Sequence, residues 1–107
     1  TYTMDFAENT KLLLSKEVWG LYNLVCARLT GRYEVASEIL KVLSLESSVK
    51  LNKVSSDFFK EEYYAPRPPS ERLVNKKLAL RNLNLMRDWK ICLNEYINEE
   101  FSEYILK

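Results

Sequence analysis

Residues 70–107 read SERLVNKKLALRNLNLMRDWKICLNEYINEEFSEYILK, without a single glycine or proline. Apolar residues recur in three rows: Leu73, Leu80 and Leu83; Leu78, Leu85, Trp89, Cys92 and Tyr96; and Met86, Leu93, Ile97, Phe101 and Tyr104. These are helical spacings, not the alternation of a strand. Three adjacent rows make an apolar face wider than a coiled-coil seam. Upstream, Pro66, Pro68 and Pro69 block helix, because proline lacks an N–H and biases its predecessor to extended geometry. Ser70 is then the natural N-cap, with Glu71 in the first turn. The stretch predicts one long helix, or two nearly end to end that part near Asn94 or Asn98. Unbroken, it would run roughly 55 Å at 1.5 Å per residue.

The charges on this stretch are unevenly laid out. From Ala65 to Lys90 there are seven bases (Arg67, Arg72, Lys76, Lys77, Arg81, Arg87, Lys90) against Glu71 and Asp88, a net of +5. From Ile91 to Lys107 there are four acids (Glu95, Glu99, Glu100, Glu103) against Lys107, a net of −3. A helix dipole favours the opposite order. The functional reading is a basic patch facing an acidic partner; the plainer one is a solvated face.

Working outward, Thr3–Leu14 predicts a short helix with Phe6, Ala7, Thr10, Leu13 and Leu14 on its inner face. Lys16–Thr30 predicts a second, capped by Ser15, with Val18, Leu21, Tyr22, Val25, Cys26 and Leu29 in helical register and Gly31 as its C-cap. Gly20, inside it, reads as the site of a close helix crossing. Arg32–Leu45 predicts a third, buried through Val35, Ala36, Ile39, Leu40, Val42 and Leu43. The short turn at Gly31 would make these two an antiparallel hairpin. Val49–Tyr63 predicts a fourth, with an interruption at Ser55-Ser56-Asp57. Gly31, Tyr33, Ala36, Leu40 and Leu43 resemble the second half of a tetratricopeptide repeat over residues 17–48, with Trp19 one residue out of register. The resemblance implies a helical hairpin. An array of such repeats needs about three units and this chain holds one, so no peptide-binding residues are carried over.

The 107 residues are 47% hydrophobic and 29% charged, with a net charge of +1. That fits one folded α-helical domain, read as a fragment of a longer protein, with no global pull toward nucleic acid or membrane. No apolar run approaches the ~20 residues needed to span a bilayer. The chain has no histidine and two cysteines, Cys26 and Cys92, which read as reduced core residues in a cytoplasmic or nuclear setting. There is no phosphate-cradling glycine loop, no zinc ligand set and no base to activate a thiol. The paired carboxylates Asp57/Glu61 and Glu95/Glu99 complete no site. This inventory predicts no enzyme activity, no cofactor and no metal.

The expectation is therefore an all-α chain: an irregular bundle of four to five helices with a long C-terminal helix, or alternatively a short α-solenoid of helix pairs. The expected function is a non-catalytic interaction or scaffold module. Its partner-binding surface would comprise Tyr63, Tyr64, Arg67, Arg72, Lys76, Lys77 and Arg81, aromatic anchors beside basic steering residues. The partner would be another protein with an acidic segment, or a second copy meeting the C-terminal helix. Nucleic acid, gripped by the basic stretch 67–90, ranks behind it. The Pro66–Pro69 spacing could also offer an extended ligand, though a rigid connector explains it better.

Overall fold

A computed structural model describes residues 1–59, 61, 68, 70–101 and 104. The chain is all-α: among the described residues the regular structure is helical, with no strand. These residues form four α-helices, α1 (Thr3–Ser15), α2 (Arg32–Val42), α3 (Lys76–Leu80) and α4 (Trp89–Tyr96). A 3₁₀ turn spans Ser56–Phe59, and a π turn, Ile97–Phe101, runs on from α4. Contacts divide the residues into two units, Thr1–Leu29 with Leu73–Lys107, and Thr30–Arg72.

The first unit is built on α1. Its buried residues are Asp5, Asn9 and Leu13, four apart and so on one helix face. Phe6 and Leu14, expected inside, are instead exposed. The reason is hydrogen bonding. Asn9 Nδ2 donates to Leu83 O and Leu85 N–H donates to Asn9 Oδ1, both at 2.9 Å. Arg87 N–H donates to Asp5 Oδ2 at 3.0 Å. Polar α1 side chains thus hold the backbone of 83–87, and the apolar core gathers around Leu13, Leu78, Met86, Cys92 and Ile97.

Those same bonds correct the long-helix expectation. Residues 70–75 are not helical, α3 ends at Leu80, and 83–87 runs without helix to α4. Asn82 takes a left-handed φ of 54°, which asparagine tolerates better than most residues. Backbone groups that would have closed helical turns at 83–87 bond to α1 instead. Asp88 then restarts the helix as N-cap, its side chain accepting from Lys90 N–H at 2.9 Å. Asp88→Ala is expected to lower stability by about 1 kcal/mol, and Asp88→Asn by less, because the amide still caps. Urea titration of the two variants checks the order.

The expected helix over 16–30 is also corrected. Residues 21–26 carry no helix, and Ala27 forms an isolated parallel bridge with Asp88. The segment is strand-like in its exposure: Leu21 and Asn23 face out, while Tyr22 and Leu24 are half-buried. Ala27 N–H donates to Arg87 O at 2.8 Å, and Trp89 N–H donates to Ala27 O at 3.3 Å. Asn75 brackets Val25: Val25 N–H donates to Asn75 Oδ1 at 3.0 Å, and Asn75 Nδ2 donates to Val25 O at 2.7 Å. Asn23 Nδ2 donates to Val74 O at 3.1 Å. Gly20 lies in a bend with φ of 138°, a conformation open to glycine, and not at a helix crossing. The helical hairpin implied by the repeat resemblance is therefore absent.

The second unit contains α2, whose N-cap is Gly31 with an extended φ of −118°. Gly31 starts this helix and does not end a preceding one. Its N–H donates to Glu34 Oε2 at 3.1 Å, half of a capping box. The expected inner face, Val35, Ala36, Ile39, Leu40, Val42 and Leu43, is half-buried. Of the expected helix over 49–63, the described residues hold the Ser56–Phe59 turn alone.

Candidate functional site

Of the seven residues expected to form a partner surface, Tyr63, Tyr64 and Arg67 lie outside the described residues. Arg72 and Lys76 are exposed. Lys77 and Arg81, one helical turn apart at α3, converge on Tyr22 of the strand-like segment. Lys77 Nζ donates to Leu21 O at 3.1 Å and lies 5.9 Å from the Tyr22 ring centre. Arg81 NH1 donates to the Tyr22 hydroxyl, and its Cζ lies 5.6 Å from the same ring. Both cations sit within reach of a cation–π contact. Among the described residues neither has a carboxylate within ion-pair distance. Trp19, whose carbonyl accepts from the Tyr22 hydroxyl at 3.4 Å, is 74% exposed. Two positive charges with no carboxylate partner among the described residues, gathered at one aromatic ring, can receive an anion.

Among the described residues the basic stretch expected over 67–90 does not lie on one helix. It needed one continuous helix, and the chain breaks at Asn82. Arg87 is also committed elsewhere. It grips Asp5 through Nε and NH2, the latter at 2.6 Å from Oδ1, and Glu95 through NH1 at 2.6 Å and NH2 at 3.1 Å. Asp5 is only 3% exposed. Hydrogen bonds from Arg87 hold its carboxyl below the usual range, against a burial effect in the other direction. Glu95 is lowered by the same guanidinium, and Arg87 is held protonated more firmly, first by Glu95 and then by Asp5. The sequence signal for this triad is weak, because 82 residues separate Asp5 from Arg87.

Beneath the triad, the Cys92 thiol donates to Asp5 Oδ2 at 3.3 Å. Burial pushes that thiol up to about 12, with the hydrogen bond to Asp5 adding to it. Cys26 and Cys92 are both free. No group of three or more metal-ligating side chains occurs among the described residues, and no described helix is long and apolar enough to cross a membrane.

Comparison with known proteins corrects the functional expectation. The family model described as the RmlD substrate binding domain matches residues 1–102. No curated protein and no solved structure matches the chain. The family is that of the dTDP-4-dehydrorhamnose reductases, which are enzymes, so the non-enzyme, scaffold, adaptor and complex-subunit readings are overturned. An inventory of histidines, glycine loops and metal ligands tests for chemistry at a reacting bond. A segment that holds a substrate needs hydrogen bonds and shape, and leaves none of those marks. The match covers nearly the whole sequence, and the chain belongs to the RmlD substrate binding domain family.

Proposed function

We propose that this chain is the substrate-recognition part of a reductase acting on a nucleotide-activated keto sugar. The observation that carries the reading is the family match over residues 1–102. The surface around Tyr22 supports it. A nucleotide sugar offers a flat base and a diphosphate. Trp19 would stack the base, and Lys77 and Arg81 would meet the diphosphate, where charge-assisted bonds are strongest. Lys76, exposed beside Lys77, would add to the positive field.

Reduction needs a hydride donor, and this chain does not fit one. Its two glycines, Gly20 and Gly31, lie in a bend and at a helix N-cap, and neither belongs to a phosphate-cradling loop. No catalytic step is assigned to these residues. For the architecture we favour an irregular arrangement of helices over a solenoid of pairs, since residues 21–26 are not helical where the first helix of a pair would lie. The free thiols support a cytoplasmic or nuclear setting.

Calorimetry with dTDP and a dTDP-sugar tests the site. Lys77→Gln and Arg81→Gln are each expected to weaken binding about 10-fold or more, as loss of a charge-assisted bond of about 1.5–3 kcal/mol implies. Equal affinity in wild type and both variants would remove these residues from the site. No nucleotide binding at all would overturn the reading.

A further inference from the structure

Cys26 and Cys92 are 66 residues apart in sequence, yet their Sγ atoms lie 3.8 Å apart. The nucleotide reading uses neither. They sit in a chain of weak hydrogen bonds: Tyr2 N–H donates to Cys26 Sγ at 3.3 Å, the Cys26 thiol to Cys92 Sγ, and the Cys92 thiol to Asp5 Oδ2. A disulfide needs its sulfurs about 2.05 Å apart, so closure requires them to approach by less than about 2 Å. The two thiols differ in access. Cys26 lies partly exposed on the strand-like segment, while Cys92 is 3% exposed on α4.

We propose that Cys26 and Cys92 form a reversible dithiol–disulfide site, with Cys26 as entry thiol, Cys92 as resolving thiol and a small disulfide such as oxidised glutathione as oxidant. The Cys26 thiolate attacks one glutathione sulfur. The glutathione S–S bond breaks, and the first glutathione leaves as a thiolate that takes up the proton Cys26 lost. Cys92 then attacks the Cys26 sulfur, and the second glutathione leaves with the Cys92 proton. Two electrons pass from the protein to glutathione, giving one protein disulfide and two reduced glutathiones. Burial makes Cys92 a poor first attacker. Its position against Cys26 makes it the favoured second one, because the step is intramolecular. The bond would tie the strand-like segment to α4 and withdraw a thiol donor from Asp5.

The test incubates the reduced chain in glutathione buffers of rising oxidised fraction, followed by acid quench, alkylation and peptide mass analysis. The expected product is lighter by two hydrogens, carries a linked Cys26–Cys92 peptide, keeps its helical circular dichroism and reverts in reduced glutathione. Cys92→Ser is expected to stop at a glutathione adduct on Cys26. Cys26→Ser is expected to give neither adduct nor disulfide. A persistent adduct in the wild type, or a disulfide that forms only in urea, would overturn the proposal. The readout needs no substrate, so its failure is distinct from failure of the nucleotide reading.

Discussion

Arg87→Leu is expected to destabilise the chain by about 3 kcal/mol, the lower end of the range for removing one partner of a buried ion pair. The lower end applies because the Arg87 side chain is 40% exposed while that of Asp5 is 3% exposed. What remains is a buried carboxylate facing a thiol and a backbone N–H, with no counter-charge. Against a typical stability of about 5–15 kcal/mol the loss is large. The pH dependence gives a second readout. In the wild type the folded Asp5 lies below its ordinary 3.8, so its contribution is fully present above that value and is lost as pH falls through the lowered one. In the variant the guanidinium's lowering bonds are gone, those from the backbone N–H and the Cys92 thiol stay, and burial, which raises, remains. Acidification then neutralises the stranded carboxylate, and the gap between variant and wild type narrows as pH falls toward the carboxylate range. Urea titrations at neutral and acid pH measure it, and a gap that stays constant would refute the account.

Asn9→Asp is expected to cost about 3 kcal/mol, more than the roughly 2 kcal/mol of Asn9→Ala, although it is nearly isosteric. Asn9 is fully buried, and its amide donates to Leu83 O while accepting from Leu85 N–H. A carboxylate keeps the second bond and turns the first into a contact between two acceptors. Protonation restores a donor, so this variant should recover stability on acidification while Asn9→Ala does not. Thermal unfolding across pH separates the two.

Much of the helical structure was legible. Thr3–Ser15 and Arg32–Val42 fall where apolar spacing placed helices. The errors have a common cause. Tyr22, Leu24 and Cys26 satisfy a period of two as well as Leu21, Tyr22 and Val25 satisfy a helical one, and long-range bonds to Asn75, Arg87 and Trp89 decide the matter. Leu83 and Leu85 alternate with Asn82 and Asn84 in the same way, inside what reads as a long helix. A run free of glycine and proline looks uninterrupted, yet asparagine both accepts left-handed backbone and bonds to it. The convergence on Tyr22 was not legible: Lys77 and Arg81 stand out by charge, but nothing local to α3 points to Tyr22, more than fifty residues earlier.

The asparagine bracket also bears on whether a second chain could add a strand to this segment. A strand-like segment with free N–H and C=O groups is a template on which another chain can add a strand and start aggregation. Here Asn75 occupies both backbone groups of Val25, Lys77 occupies Leu21 O, and Ala27 is paired with Arg87 and Trp89. A side-chain amide satisfies a backbone as well as a strand does, but it has no further edge to offer. The pairing ends with the amide, and no second chain can continue it there.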